Sequence, residues 1–107
     1  MESALKAKWV RALRSGRYKQ ASGKLLDDEG AMCCLGVLAK IQGCKLEKFS
    51  ETDLMTTKLP RGLNAGLTKK QRSILAAHND GSYSAALNQD LKHLSFKEIA
   101  DFIEANL

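Results

Sequence analysis

Proline is nearly missing from this 107-residue chain, with Pro60 the single example. So little proline, together with 44% apolar residues, excludes a polyproline rod or a disordered linker. The length suits a single domain, residues 1–107, with one core. Cysteine is limited to Cys33, Cys34 and Cys44, and histidine to His78 and His93. An odd number of cysteines, two of them adjacent, is poor material for a disulfide framework. They read instead as small buried apolar residues in a reducing compartment. These five residues contain neither a Cys-x-x-Cys nor a His-x-x-x-His pair, and adjacent cysteines on a helix point about 100° apart, so no metal is expected. No apolar run approaches the roughly 18 to 20 residues that span a bilayer. Arg11 interrupts the apolar stretch after Lys6 and Lys8, so no signal-peptide core follows the basic start. A cytoplasmic protein without a membrane partner is expected.

Catalytic signatures are also wanting. A cysteine nucleophile needs a base and an electropositive, partly open setting, whereas Cys33 and Cys34 fall in the most apolar run of the chain. The acidic turn Asp27-Asp28-Glu29 has no opposing group to tune it. Neither a phosphate-cradling P-loop nor a dinucleotide fingerprint occurs, so no cofactor is expected. The residues point to a protein that binds rather than to an enzyme.

Positive charge is abundant but unevenly placed. Residues 1–24 hold seven basic groups (Lys6, Lys8, Arg11, Arg14, Arg17, Lys19, Lys24) against Glu2 alone. The remaining residues hold ten basic and eleven acidic groups, so the whole net charge of +5 lies in the first quarter of the chain. Such asymmetry suits an anionic partner, and a solvated helix face is the plain alternative.

Apolar periodicity predicts a mainly α fold of four to five short helices, with a small β-hairpin near residues 24–32. Leu5, Trp9, Val10 and Leu13 make one stripe of a first helix from Glu2 to Ser15, stopped by Gly16. Lys8, Arg11 and Arg14 form a basic ridge beside that stripe. The run from Met32 to Ile41 reads as a buried central helix. Residues 44–67 are the least regular, with Phe49, Leu54, Met55 and Leu59 as candidate core contacts and a turn-rich loop around Pro60 and Arg61. Thr68-Lys69-Lys70-Gln71 and Ser95-Phe96-Lys97-Glu98 have capping-box spacing and start two further helices, the second stapled by Leu94 and Ile99. Asn79-Asp80-Gly81 ends the first of these. Ser84 to His93, with Leu87, Leu91 and Leu94 at helical spacing, reads as a short helix.

Three motifs carry a family resemblance. They are Lys8-Trp9-Val10-Arg11-Ala12-Leu13-Arg14-Ser15-Gly16, with Tyr18-Lys19-Gln20; Cys33-Cys34-Leu35-Gly36-Val37-Leu38; and His78-Asn79-Asp80, with Ser95-Phe96-Lys97-Glu98-Ile99-Ala100-Asp101-Phe102-Ile103-Glu104. In this order they resemble a family of small proteins encoded by tailed bacteriophages and prophages. Residues Gly81 to Leu94 depart from that pattern as an insertion before the final helix. The resemblance implies an accessory protein of the bacterial host cytoplasm, a class that often inhibits host defence.

The final helix resembles the opening of a helix-turn-helix, but no recognition helix follows it before Leu107, and residues 95–107 carry a net −2. The basic start is the better candidate site. Guanidinium groups grip phosphate through paired hydrogen bonds and an aromatic ring stacks on a base. Arg11, Arg14, Arg17 and Lys19 are therefore the predicted phosphate ligands, Tyr18 the stacking ring and Arg61 a second arm. Trp9 lies on the apolar stripe and belongs to the core. The expected function is sequestration of an anionic small molecule, a nucleotide immune signal, by a homo-oligomer with interfacial sites. A basic module for nucleic acid or a host protein is the alternative.

Overall fold

A computed structural model describes residues 1–23, 26–43 and 66–107. Four helices and one two-stranded antiparallel sheet occur among them, so the fold is mainly α with a small hairpin. Cys44, Phe49, Leu54, Met55, Leu59 and Arg61 lie outside the described residues, as does the loop around Pro60.

Helix α1, Ser3–Arg14, buries Trp9, Val10 and Leu13 and ends on Ser15. Gly16 follows with a left-handed φ of 77°, which a side chain would resist. That turn sends Arg17 and Tyr18 back alongside the helix, and the Arg17 amide donates to Ser15 Oγ at 3.1 Å. Helix α2, Cys34–Ile41, buries six consecutive residues, Cys34 to Ala39. It starts two residues later than the apolar run because Met32 is held in extended pairing. Met32 donates to Lys19 O and accepts from the Ala21 amide, each at 2.9 Å.

Helix α3, Lys69–Asp80, opens on the predicted capping box: Thr68 accepts from Gln71 N, and the Gln71 side chain accepts from Thr68 N. It closes on Gly81, which meets two demands. Its φ of 66° is left-handed, and an added Cβ would lie 2.9 Å from the His93 Cβ. Helix α4, Phe96–Asn106, opens on the second capping box, with Ser95 and Glu98 satisfying each other's backbone amides.

Among the described residues the hairpin lies at 83–90 rather than near 24–32. Strands β1, Tyr83–Ser84, and β2, Gln89–Asp90, pair in the register Tyr83↔Asp90 and Ser84↔Gln89. They replace the short helix predicted from Ser84 to His93. Leu87 does not share a buried face with Leu91: it is 41% exposed at the loop tip, whereas Leu91 is buried. Asn88 takes a positive φ of 54°, which Asn tolerates and which turns the chain back. Near 24–32 the described residues hold a turn instead. Asp27 Oδ1 accepts from the amides of Glu29 and Ala31, and the chain returns to an isolated bridge between Gln20 and Met32.

Helix α1 packs against α2 and α4, and α3 against α2 and α4. The core joins Trp9, Leu13, Val37, Leu38, Leu75, Ile99 and Ile103. Trp9 is wholly buried and donates from Nε1 to Cys34 O at 3.0 Å, tying α1 to the start of α2. Cys33 and Cys34 are wholly buried too, as the apolar reading requires. Burial pushes the Cys34 thiol well up, with Cys33 and Asp80 adding to the effect, so its reactive thiolate is disfavoured. Among the described residues no helix is long and apolar enough to cross a membrane.

Candidate functional site

The basic ridge of α1 divides between two shallow cavities. One, of about 370 Å³, lies between α1, Ile41 and the chain just after Gly16, and is lined by Lys8, Arg11, Arg17, Tyr18 and Ile41 among others. The i, i+3 spacing puts Lys8 and Arg11 on one side of the helix, and the Gly16 turn brings Arg17 and Tyr18 to the same place. Lys8 reaches across to Ile41 O at 3.4 Å. Tyr18 is half-buried and packs against the core, which fixes its ring at the margin of the cleft.

Charge distinguishes this cleft. It is lined by three cations and, among the described residues, no carboxylate. Among the described residues Lys8, Arg11 and Arg17 make no ion pair. An anion entering it would meet unneutralised donors beside an aromatic ring and the apolar Ile41 side chain.

Three of the predicted ligands thus converge: Arg11, Arg17 and Tyr18. Arg14 does not join them. It points to the other flank of α1, where Nη1 donates to Glu104 and Nη2 to Asp101, each at 2.6 Å. The two carboxylates of α4 already neutralise its charge. Those bonds raise the Arg14 pKa further and hold the Glu104 carboxyl below its usual range. Lys19 also sits elsewhere, paired with Glu29 at 3.3 Å. That pair is 71% and 76% exposed, so it contributes little to stability. Arg61 lies outside the described residues.

Four described cleft residues, Lys8, Ala12, Ser15 and Ile41, are not among the residues predicted from the sequence. Lys8 had a signal in its ridge spacing with Arg11. Ile41 had none, since only the packing of α2 on α1 brings it there.

The second cavity, of about 510 Å³, lies on the Arg14 flank and is lined by Ser3, Lys6, Ala7, Val10, Arg11, Arg14 and Glu104. Arg11 borders both cavities. A third, more apolar hollow between α3 and α4 is lined by Ile74, Leu75, Leu87, Phe102 and Leu107 among others. No group of three or more His, Cys, Asp and Glu side chains among the described residues is placed to hold a metal ion.

His78-Asn79-Asp80 is a structural junction. Asn79 is wholly buried; its Oδ1 accepts from Gln20 Nε2 at 3.0 Å and from the Cys34 amide at 3.1 Å. Its Nδ2 donates to Ala21 O at 2.7 Å and to Asp80 Oδ1 at 2.9 Å. Asp80 in turn accepts from the Gly23 amide at 2.9 Å. These bonds hold residues 20–23 against α3, and thereby steady the segment that carries Arg17 and Tyr18.

No curated protein and no solved structure matches the chain. A family model does, the one described as Domain of unknown function (DUF8296), and its match runs over residues 1–59. That span contains α1, the Gly16 turn and α2, and with them the described residues that line the Tyr18 cleft. The chain belongs to the DUF8296 family.

Proposed function

We propose that this protein is a phage-type accessory protein that binds and sequesters an anionic small molecule of nucleotide chemistry without altering it. The observation that carries this reading is the cleft at Tyr18, where Lys8, Arg11 and Arg17 surround a half-buried ring and no carboxylate lines it among the described residues. Phosphate oxygens would take paired hydrogen bonds from Arg11 and Arg17. The base would stack on Tyr18 and rest on Ile41. Among the described residues no carboxylate or histidine lines the cleft to act as a general base, which favours holding over hydrolysis.

The phage resemblance of the opening and closing motifs gives the setting: the cytoplasm of a bacterial host, with a nucleotide immune signal as the molecule withheld. A cleft this open leaves much of a nucleotide exposed on a single chain. A second copy closing over it would complete the burial that tight sequestration needs, so the functional form is a homo-oligomer.

The decisive experiment is mass spectrometry of what heat releases from the protein after purification from defence-active cells. A stoichiometric, intact nucleotide is the expected result, lost in the Arg11→Ala/Arg17→Ala variant. A wild-type protein that carries nothing would count against sequestration. It would favour a nucleic-acid or host-protein partner held by the same exposed cations.

A further inference from the structure

The two cavities that share Arg11 differ in charge. Among the described residues the charged groups of the Tyr18 cleft are all cations, whereas the flank facing α4 mixes Lys6 and Arg11 with the Arg14–Glu104–Asp101 cluster. A phosphate therefore gains more in the first. The second suits a neutral group that both donates and accepts hydrogen bonds.

Its lining has the chemistry for a sugar. Glu104 already accepts from Arg14 at 2.6 and 3.2 Å, but a carboxylate offers about four acceptor positions. The remaining ones can take the hydroxyls of a ribose diol, as acidic residues do in dinucleotide sites. Ala7 and Val10 give an apolar floor for the sugar's C–H face, and Ser3 and Lys6 add donors at the rim. Among the described residues Lys6 makes no ion pair, so its ammonium is available.

Resting on the nucleotide reading above, we infer that the ligand class is a two-part nucleotide. Its base and phosphates occupy the Tyr18 cleft, and a second, phosphate-linked sugar crosses Arg11 into the cavity of Lys6 and Glu104. Arg11 then contacts the phosphate bridge from the crest between the two halves. A simple mononucleotide fills only one of them.

Titration calorimetry of the purified full-length protein with AMP and with ADP-ribose tests this. The expected result is that ADP-ribose binds at least about tenfold more tightly, the worth of one or two added polar contacts. Lys6→Ala should remove that margin and leave AMP affinity unchanged, whereas Lys8→Ala should weaken both ligands. Lys6 is only partly buried beside the stripe and makes no ion pair among the described residues, so a thermal melt should show the variant folded. Equal affinity for the two ligands, with Lys6→Ala without effect, would overturn the two-part class while leaving nucleotide binding standing. Binding of neither ligand would overturn the cleft reading itself, and this inference with it.

Discussion

Asn79 has both polar atoms of its side chain in use inside the core, and each bond reaches a different part of the chain. It caps the start of α2 through the Cys34 amide, anchors Gln20 and Ala21, and orients Asp80. Asn79→Ala would leave the Cys34 amide and the Ala21 carbonyl buried without their partner. Each such orphan costs about 1–3 kcal/mol, so a loss of about 3 kcal/mol is expected by urea denaturation. A variant within about 0.5 kcal/mol of wild type would show that water replaces the amide at little cost. The cysteines act at this scale as well. Cys34 contributes packing and a long contact from Sγ to Leu75 O, 3.7 Å, rather than reactivity. Their burial was legible in the sequence because a run that is apolar on every side has nowhere else to go. The partners of Asn79 were not, since they lie between 45 and 59 residues away along the chain, Asp80 apart.

Among the elements, those set by local chemistry matched the residues' own signals. Both capping boxes form as spaced, because the two side chains that build each one are only three residues apart. Residues 84–93 show the opposite case. Leu87, Leu91 and Leu94 have helical spacing, yet Ser84 is buried with its Oγ accepting from the Leu87 amide, and the chain folds back as a hairpin. Periodicity over so few residues cannot separate a one-turn helix from a turn flanked by two short strands. The candidate site divides along the same line. Arg11, Arg17 and Tyr18 converge because a helix ridge and one glycine turn place them locally. Arg14 is diverted by carboxylates 87 and 90 residues away, which no local pattern reveals. The capping box of α4 also has a pH signature. Hydrogen bonds from Ser95, its backbone amide above all, hold the Glu98 carboxyl below its usual range. Its stabilisation is therefore present above the unfolded carboxylate pKa of about 4.3 and is lost as pH falls through the lower folded value. Glu98→Gln keeps an acceptor for the Ser95 amide and removes the titration. Its melting temperature should match wild type near neutrality and fall less on acidification. An identical acid drop in both proteins would assign the loss to other carboxyls, with Glu104 the first to examine.

On the scale of the whole molecule, the charge asymmetry of the sequence is partly cancelled by the fold. The acidic end of α4 lies against basic α1, and Asp101 and Glu104 absorb Arg14 there. On the opposite flank no described carboxylate offsets Lys8, Arg11 and Arg17, so among the described residues the positive field is concentrated at the Tyr18 cleft. A nucleotide held there neutralises a few fixed cations, whereas a long nucleic acid would release counterions along its whole contact. Salt distinguishes the two. Between 50 and 200 mM, a polyanion making six to ten phosphate contacts loses about 10³ to 10⁵ in affinity. A nucleotide in the cleft should lose roughly tenfold or less, because only two or three cations touch it. Ligand binding should also appear as thermal stability. At a ligand concentration 100 times Kd the gain is about 2.7 kcal/mol, which raises the melting temperature of a domain this size by roughly 10–20 °C. Arg11→Ala/Arg17→Ala should melt with unliganded wild type, since neither guanidinium makes an ion pair among the described residues, and should show no shift on adding nucleotide. A shift that persists in this variant would move the ligand away from the cleft. A steep salt slope with little nucleotide shift would make the cleft part of a broader surface for a polyanionic partner.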